Sequence, residues 1–153
     1  MGYAPGMAVL NVLVDRSPAQ VWDVLSDGWA YADWVVGTRH IENVDSHWPG
    51  QGSRIRYVVG IGRCTIEDVT TVRLVEPPHR LELEAYAGKI GSARIAISLL
   101  PWGEGRTLVI VDEHPLTGPG EWWHTAVVDV ALRFRNRRMV RNLAKTVHAR
   151  HPR

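Results

Sequence analysis
The chain has 153 residues, 45% of them hydrophobic and 22% charged, which excludes a disordered or fibrous polymer and suits one globular domain, 1–153 with its core over about 8–149. The net charge of +2 is uneven: Arg133 to Arg153 holds eight Lys or Arg and no acid, while the remainder carries ten basic against sixteen acidic groups. No apolar run reaches the roughly 18 residues of a membrane span, Met1 to Val14 lacks the marks of a signal peptide, and Cys64 is the one cysteine, so the expectations are a cytoplasmic protein, no stable membrane insertion and no internal disulfide.

Ala8 to Val14 is almost wholly apolar and reads as a strand. Ser17 and Pro18 then supply an N-cap and a first-turn proline for a short helix over Pro18 to Leu25, with Val21, Trp22 and Leu25 inward, and Asp27-Gly28 breaks it. A second short helix is expected from Trp29 to Trp34, ended by Gly37. From there the period changes to two. Thr38 to Asp45, Ser53 to Val59, Cys64 to Val75, Arg80 to Ala87, Ala93 to Leu100 and Thr107 to His114 are strand-like and separated by Gly or Pro, which predicts an antiparallel meander. After Gly118 to Gly120 a long helix fits Glu121 to Ala149, because Val128, Leu132, Met139, Val140, Leu143 and Val147 share one side while Arg133, Arg137, Arg138, Arg141 and Lys145 share the other. The fold class is α+β: a curved antiparallel sheet of about seven strands, two short helices and one long C-terminal helix.

Alternation sorts the sheet into two faces. Arg54, Arg56, Arg80, Glu82, Glu84 and Arg94 should be wet, leaving Ile55, Tyr57, Val59, Leu81, Leu83, Ala85, Ile95, Ile97 and Leu99 toward the long helix. The small residues Ala85 and Ala87 on that oily face leave volume either for an apolar cavity or for long side chains from the helix. Asp68 shares a register with Ile66, Val72 and Leu74: in an unbroken strand it is a buried acid, and with a bulge nearby it returns to solvent.

Turns near Trp48, Pro77 and Trp102 should gather at one end of the meander, and Gly60 to Gly62, Gly88 to Gly91 and the His114 to Glu121 connection at the other. Trp122, Trp123 and His124 therefore mark a candidate pocket mouth. Of the seven tryptophans, Trp22 and Trp34 are expected in the core, while Trp48, Trp102, Trp122 and Trp123 fall near loops, at a ligand rim or a dimer contact. Glu113, His114 and His124 are further candidates for general acid/base work beside Asp68, or plain exposed loop residues. Asn136 interrupts the apolar stripe and reaches either a ligand or the sheet. The Gly60-Ile61-Gly62 stretch is a hairpin turn and not a phosphate loop, since a strand follows it. His148 and His151 sit in a tail expected to fray, without a carboxylate or cysteine companion, so no metal is expected. The basic helix face is expected to be solvated.

The segment Val14-Asp15-Arg16-Ser17-Pro18-Ala19-Gln20-Val21-Trp22-Asp23-Val24-Leu25, with Trp34, Gly52 and the corner Glu76-Pro77-Pro78-His79-Arg80-Leu81, resembles the polyketide cyclase/dehydrase and lipid-transport branch of the START-like (SRPBCC) superfamily over about residues 8–148. The resemblance implies the helix-grip fold. These motifs start a packed helix and turn a hairpin, so they carry the fold and leave the reaction open. Three functions remain: binding or carriage of a small hydrophobic ligand such as a lipid, polyketide or aromatic compound; a cyclase/dehydratase-type enzyme without metal; or a non-catalytic protein-interaction module. For the first, the expected ligand contacts are Tyr57, Asp68, Leu83, Ala85, Ile97, Leu132 and Asn136, with Trp122, Trp123 and His124 at the entrance. No cofactor and no nucleic acid are expected, and the protein is a monomer or a homodimer.

Overall fold
In the computed structural model, which describes residues 8–61, 63–86, 92–117 and 126–153, seven strands follow one another along the chain. They are β1 (Ala8–Val14), β2 (Thr38–Val44), β3 (Arg54–Ile61), β4 (Cys64–Glu76), β5 (Arg80–Tyr86), β6 (Ser92–Pro101) and β7 (Thr107–Thr117). Between β1 and β2 lie helix α1 (Pro18–Leu25), a 3-10 turn at Gly28–Ala30 and helix α2 (Tyr31–Trp34); helix α3 (Ala126–Arg150) closes the chain. β2 to β7 form an antiparallel meander and β1 returns to pair with β7, giving one sheet in the order β1-β7-β6-β5-β4-β3-β2. The turns after β2, β4 and β6 thus share one end, and β3, β5 and β7 finish at the other.

The local chemistry is what places α1 and α2. Ser17 accepts from the Gln20 amide while the Gln20 side chain accepts from the Ser17 amide, so two orphan donors of α1 are satisfied reciprocally. Asp27 then caps the 3-10 turn through the Trp29 amide at 3.0 Å. Gly28 is the point of closest approach to the sheet: a Cβ there would stand 2.5 Å from Val44 Cγ1. Gly37, at φ +90°, turns the chain into β2.

The inward set expected from alternation packs as one core. Ile55, Leu81, Leu83, Ile97 and Leu99 are fully buried against Val21, Val24, Trp34, Met139, Leu143 and Val147 from the helices. Trp22 is only partly buried against it, and Trp48, expected at a rim or contact, instead packs on the core and donates from Nε1 to the Leu25 carbonyl at 3.3 Å. Trp102 is exposed. The bulge expected near Asp68 falls farther along β4, where the pairing with β5 shifts between Val72 and Leu74. Val75 thereby joins Leu81 on the inner face, Leu74 crosses to the outer face opposite Glu82, and Asp68 stays inward.

The outer face is less wet than alternation suggested. Glu82 is 7% exposed because Arg94 from β6 and Arg80, two residues back on its own strand, both fold over its carboxylate. Burial alone would raise that carboxyl, but hydrogen bonds from Arg94 and Arg80 outweigh it and hold Glu82 below its usual value. The stabilisation is therefore full above the ordinary carboxylate range and is lost as pH falls through the lowered folded value. Urea midpoints of the wild type are expected to fall more steeply in that acid range than those of Glu82→Gln, whose side chain does not titrate. Parallel acid limbs would remove this linkage.

The C-terminal tail, expected to fray, is pinned. Arg150 reaches Asp27 at 2.8 Å, His151 reaches Asp23 at 3.0 Å and Arg153 reaches Asp15 at 2.7 Å, all on the connection that carries α1. The acidic body thus partners the end of the basic segment, whereas Arg137, Arg138, Arg141 and Lys145 remain exposed along α3. Among the described residues no helix is long and apolar enough to cross a membrane.

Candidate functional site
Where Tyr31 of α2 meets β3 and β4, the concave face of the sheet carries a cluster of polar side chains. Register places Tyr57 directly opposite Asp68, with Thr70 two positions along the same face of β4. α2 lowers Tyr31 onto them, its ring tilted 46° against Tyr57 at 4.9 Å and edge-on to Trp34 at 5.3 Å. All four polar side chains are buried, Asp68 being 9% exposed and Thr70 fully enclosed.

Their oxygens form a connected chain. The Tyr57 hydroxyl donates to Asp68 Oδ2 at 2.9 Å, Thr70 Oγ1 lies 2.8 Å from the Tyr57 oxygen, and the Tyr31 hydroxyl lies 2.9 Å from Thr70 Oγ1. A hydroxyl has one proton to give. With that of Tyr57 committed to Asp68, the Tyr57 oxygen accepts from the neighbouring hydroxyls, Thr70 at 2.8 Å and Tyr31 at 3.3 Å, so the three hydroxyls close a ring that feeds into the Asp68 carboxyl. The other Asp68 oxygen accepts from the Val69 amide at 2.7 Å. Burial, followed by the neighbouring Tyr31 and Asp68, pushes the Tyr57 phenol well above its ordinary value. Tyr57 is therefore a fixed donor throughout the neutral range.

Beside this chain the inner face carries a row of small residues. Thr70 pairs with Ala85 and Ala85 pairs with Ala93, spanning β4 to β6. The adjacent row runs from Val72 through Leu83 and Ile95 to a second inward carboxyl, Glu113, 2% exposed, with Ala8 of β1 beyond it. The last strand runs to Thr117 and not to His114, so Glu113 belongs to the sheet interior and is not the exposed loop residue that was one alternative. Asp68 and Glu113 lie on the same concave face but well apart, about 14 Å across three strand spacings and a further four residues, about 13 Å, along the strand direction.

Of the residues expected from sequence, the structure brings Tyr57 and Asp68 into contact and sets Ala85 beside them, while Leu83 and Ile97 are core members at 0% exposure. His114 lies on β7 opposite Arg94, and Leu132 and Asn136 lie on α3, but their side chains fall outside the described residues, as do Trp122, Trp123 and His124 entirely. Sequence reasoning missed Tyr31 and Thr70. Thr70 was within reach of the same alternation that singled out Asp68, since it stands between Asp68 and Val72; Tyr31 had no comparable signal in a helix of four residues.

Comparison with known proteins follows the same outline. A family model described as polyketide cyclase/dehydrase and lipid transport matches residues 8–148. Among solved structures, a protein from Rhodobacter sphaeroides superposes with a TM-score of 0.72 at 24% identity, covering 97% of each chain. The Zhui aromatase/cyclase from Streptomyces sp. R1128 superposes with a TM-score of 0.75 at 17% identity, covering 94% of each chain. DynU16, a protein of the dynemicin biosynthetic locus, matches at 22% identity and a TM-score of 0.67 over 94% of this chain and 47% of its own. A search of curated protein sequences gives no match. At these identities the structures establish the helix-grip fold.

Proposed function
Because the chain belongs to the polyketide cyclase/dehydrase and lipid-transport family, we propose that it binds a small hydrophobic molecule, a lipid, a polyketide or an aromatic compound, between the concave sheet and α3. The observation that carries this reading is the Tyr31–Thr70–Tyr57–Asp68 cluster, a connected polar site on a largely apolar face, next to the small-residue row of Ala85 and Ala93. Apolar walls with a few convergent polar groups are the usual makeup of a small-molecule site. In this reading the walls give affinity and the polar chain orients one oxygen of the ligand. Leu83, Ile97 and Leu132 contribute wall, Asn136 a further polar contact, and Trp122, Trp123 and His124, on the connection between β7 and α3, frame the entrance.

Native mass spectrometry of freshly purified protein, followed by denaturation and organic extraction, tests the reading directly. Excess mass that disappears on denaturation supports it and identifies the chemical class. A clean apo mass, together with no uptake of added lipids or aromatic polyketides, overturns it. Ala85→Trp is expected to lower ligand uptake strongly while the protein still folds, since the indole takes up volume that the ligand would otherwise fill. Unchanged uptake, read by the same mass measurement, would remove the small-residue row from the site.

The hydroxyl cluster at the Asp68 carboxyl favours a second reading, in which the site is catalytic in the cyclase/dehydratase sense. A carboxylate backed by a phenol and a threonine is suited to accept a proton as a bound carbonyl compound enolises, with Asp68 as the base and Glu113, His114 and His124 as further acid/base candidates. Turnover of an extracted ligand that Asp68→Asn abolishes while binding persists would establish it; binding without turnover in the wild type leaves carriage as the function.

A further inference from the structure
The two edges of the sheet are built differently. β2 carries Arg39, His40 and Glu42, and its pairing with β3 shifts register twice. Charges and irregular pairing are the devices that keep an edge from joining another strand. β1 has neither: Ala8-Val9-Leu10-Asn11-Val12-Leu13-Val14 contains no charge and no proline, and its ladder to β7 runs unshifted from Ala8 opposite Glu113 to Val14 opposite Thr107. Among the described residues, no backbone hydrogen bond reaches Ala8–Val14 from the side away from β7. Val9 and Leu13 on its outer face are 38% and 44% exposed, and Leu13 begins an apolar row that continues through Leu108 to the exposed Leu100.

The strand is also complementary to itself. Reversed about Asn11, it sets Leu10 opposite Val12, Val9 opposite Leu13 and Ala8 opposite Val14, so each apolar residue meets another apolar residue on its own face. Asn11 meets its own copy, and two amides offer each other both a donor and an acceptor. A pattern that reads alike in both directions is what a two-fold interface requires. A foreign strand would not need it.

We propose that β1 is a homodimer interface, two copies pairing antiparallel about an axis at Asn11 to join their sheets edge to edge. The small net charge of +2 offers little repulsion to such an association. The axial residue gives a clean probe, because Asn11 is exposed and a lysine there would face its own copy only in the dimer.

Sedimentation velocity over a wide concentration series is expected to show a wild-type dimer that Asn11→Lys weakens by about tenfold or more, with circular dichroism unchanged and with thermal unfolding equal to that of the wild type at concentrations where both are monomeric. Mixing Asn11→Lys with Asn11→Asp should restore a dimer containing one of each. A wild type that stays monomeric throughout, an Asn11→Lys variant that associates as tightly as the wild type, or a mixture that fails to associate would each overturn the proposal.

Discussion
Ile97→Ala is expected to destabilise the protein by about 2–5 kcal/mol, the range for removing a branched side chain from a packed core. Thermal unfolding should show this as a fall of roughly 4–20 °C for a chain of this size. The basis is the position of Ile97 at mid-sheet, fully buried between Leu81 on β5 and Val111 on β7. Ile97 is wall in the proposed site, and truncating wall enlarges the interior without obstructing it. Uptake of an apolar ligand should therefore be retained or increased in Ile97→Ala, in contrast to the loss expected from Ala85→Trp. A loss of less than about 1 kcal/mol would mean that the core collapses into the space. Loss of ligand with full stability would make Ile97 a specific contact and not a wall.

Most of the fold was legible because its two strongest signals are local. In β5 every second residue is apolar, and the structure buries Leu81 and Leu83 as that pattern requires. Ser17, Pro18 and Gln20 carry the start of α1 in their own side chains, so its bounds could be read without knowing its neighbours. What depended on pairing partners could not be read this way. The inward placement of Asp68 turns on whether the β4 bulge precedes or follows it, and only the β5 register fixes that. Glu82 looked wet because alternation knows its own strand and not Arg94 on the next. The pinned tail rests on Arg150 meeting Asp27, residues 123 positions apart, which no window of sequence connects.

The candidate site was half legible for the same reason. Tyr57 and Asp68 stood out as polar residues at inward positions, a conflict between burial and chemistry that periodicity exposes. Thr70 shows no such conflict, since threonine is common on strands and sits comfortably on either face. Tyr31 enters the site from a separate element, and its meeting with Thr70 at 2.9 Å is a tertiary fact. The cluster of four thus became visible only once Tyr31 was seen reaching from α2 to β3 and β4.

Tyr57→Phe is expected to cost about 1–3 kcal/mol, because it removes a hydroxyl that both donates to Asp68 and accepts from Thr70 inside the core. The effect should depend on pH with a definite sign. The phenol is held protonated in the folded state well above its usual range, mainly by burial, so its contribution is full below the ordinary tyrosine range and lost as pH rises through that range toward the folded value. The wild type should therefore lose stability at alkaline pH more steeply than Tyr57→Phe. Removing Asp68 as well separates two reasons for keeping the chain. A double variant, Tyr57→Phe with Asp68→Leu, removes both members of the buried pair, and such a replacement is often close to neutral. If the chain is retained to orient a ligand, the double variant should recover stability relative to Tyr57→Phe and still fail to retain the ligand in native mass spectrometry. If instead the two losses add and ligand retention is untouched, the polar chain is part of the scaffold, and the orienting group must be sought elsewhere on the concave face, beginning with Glu113.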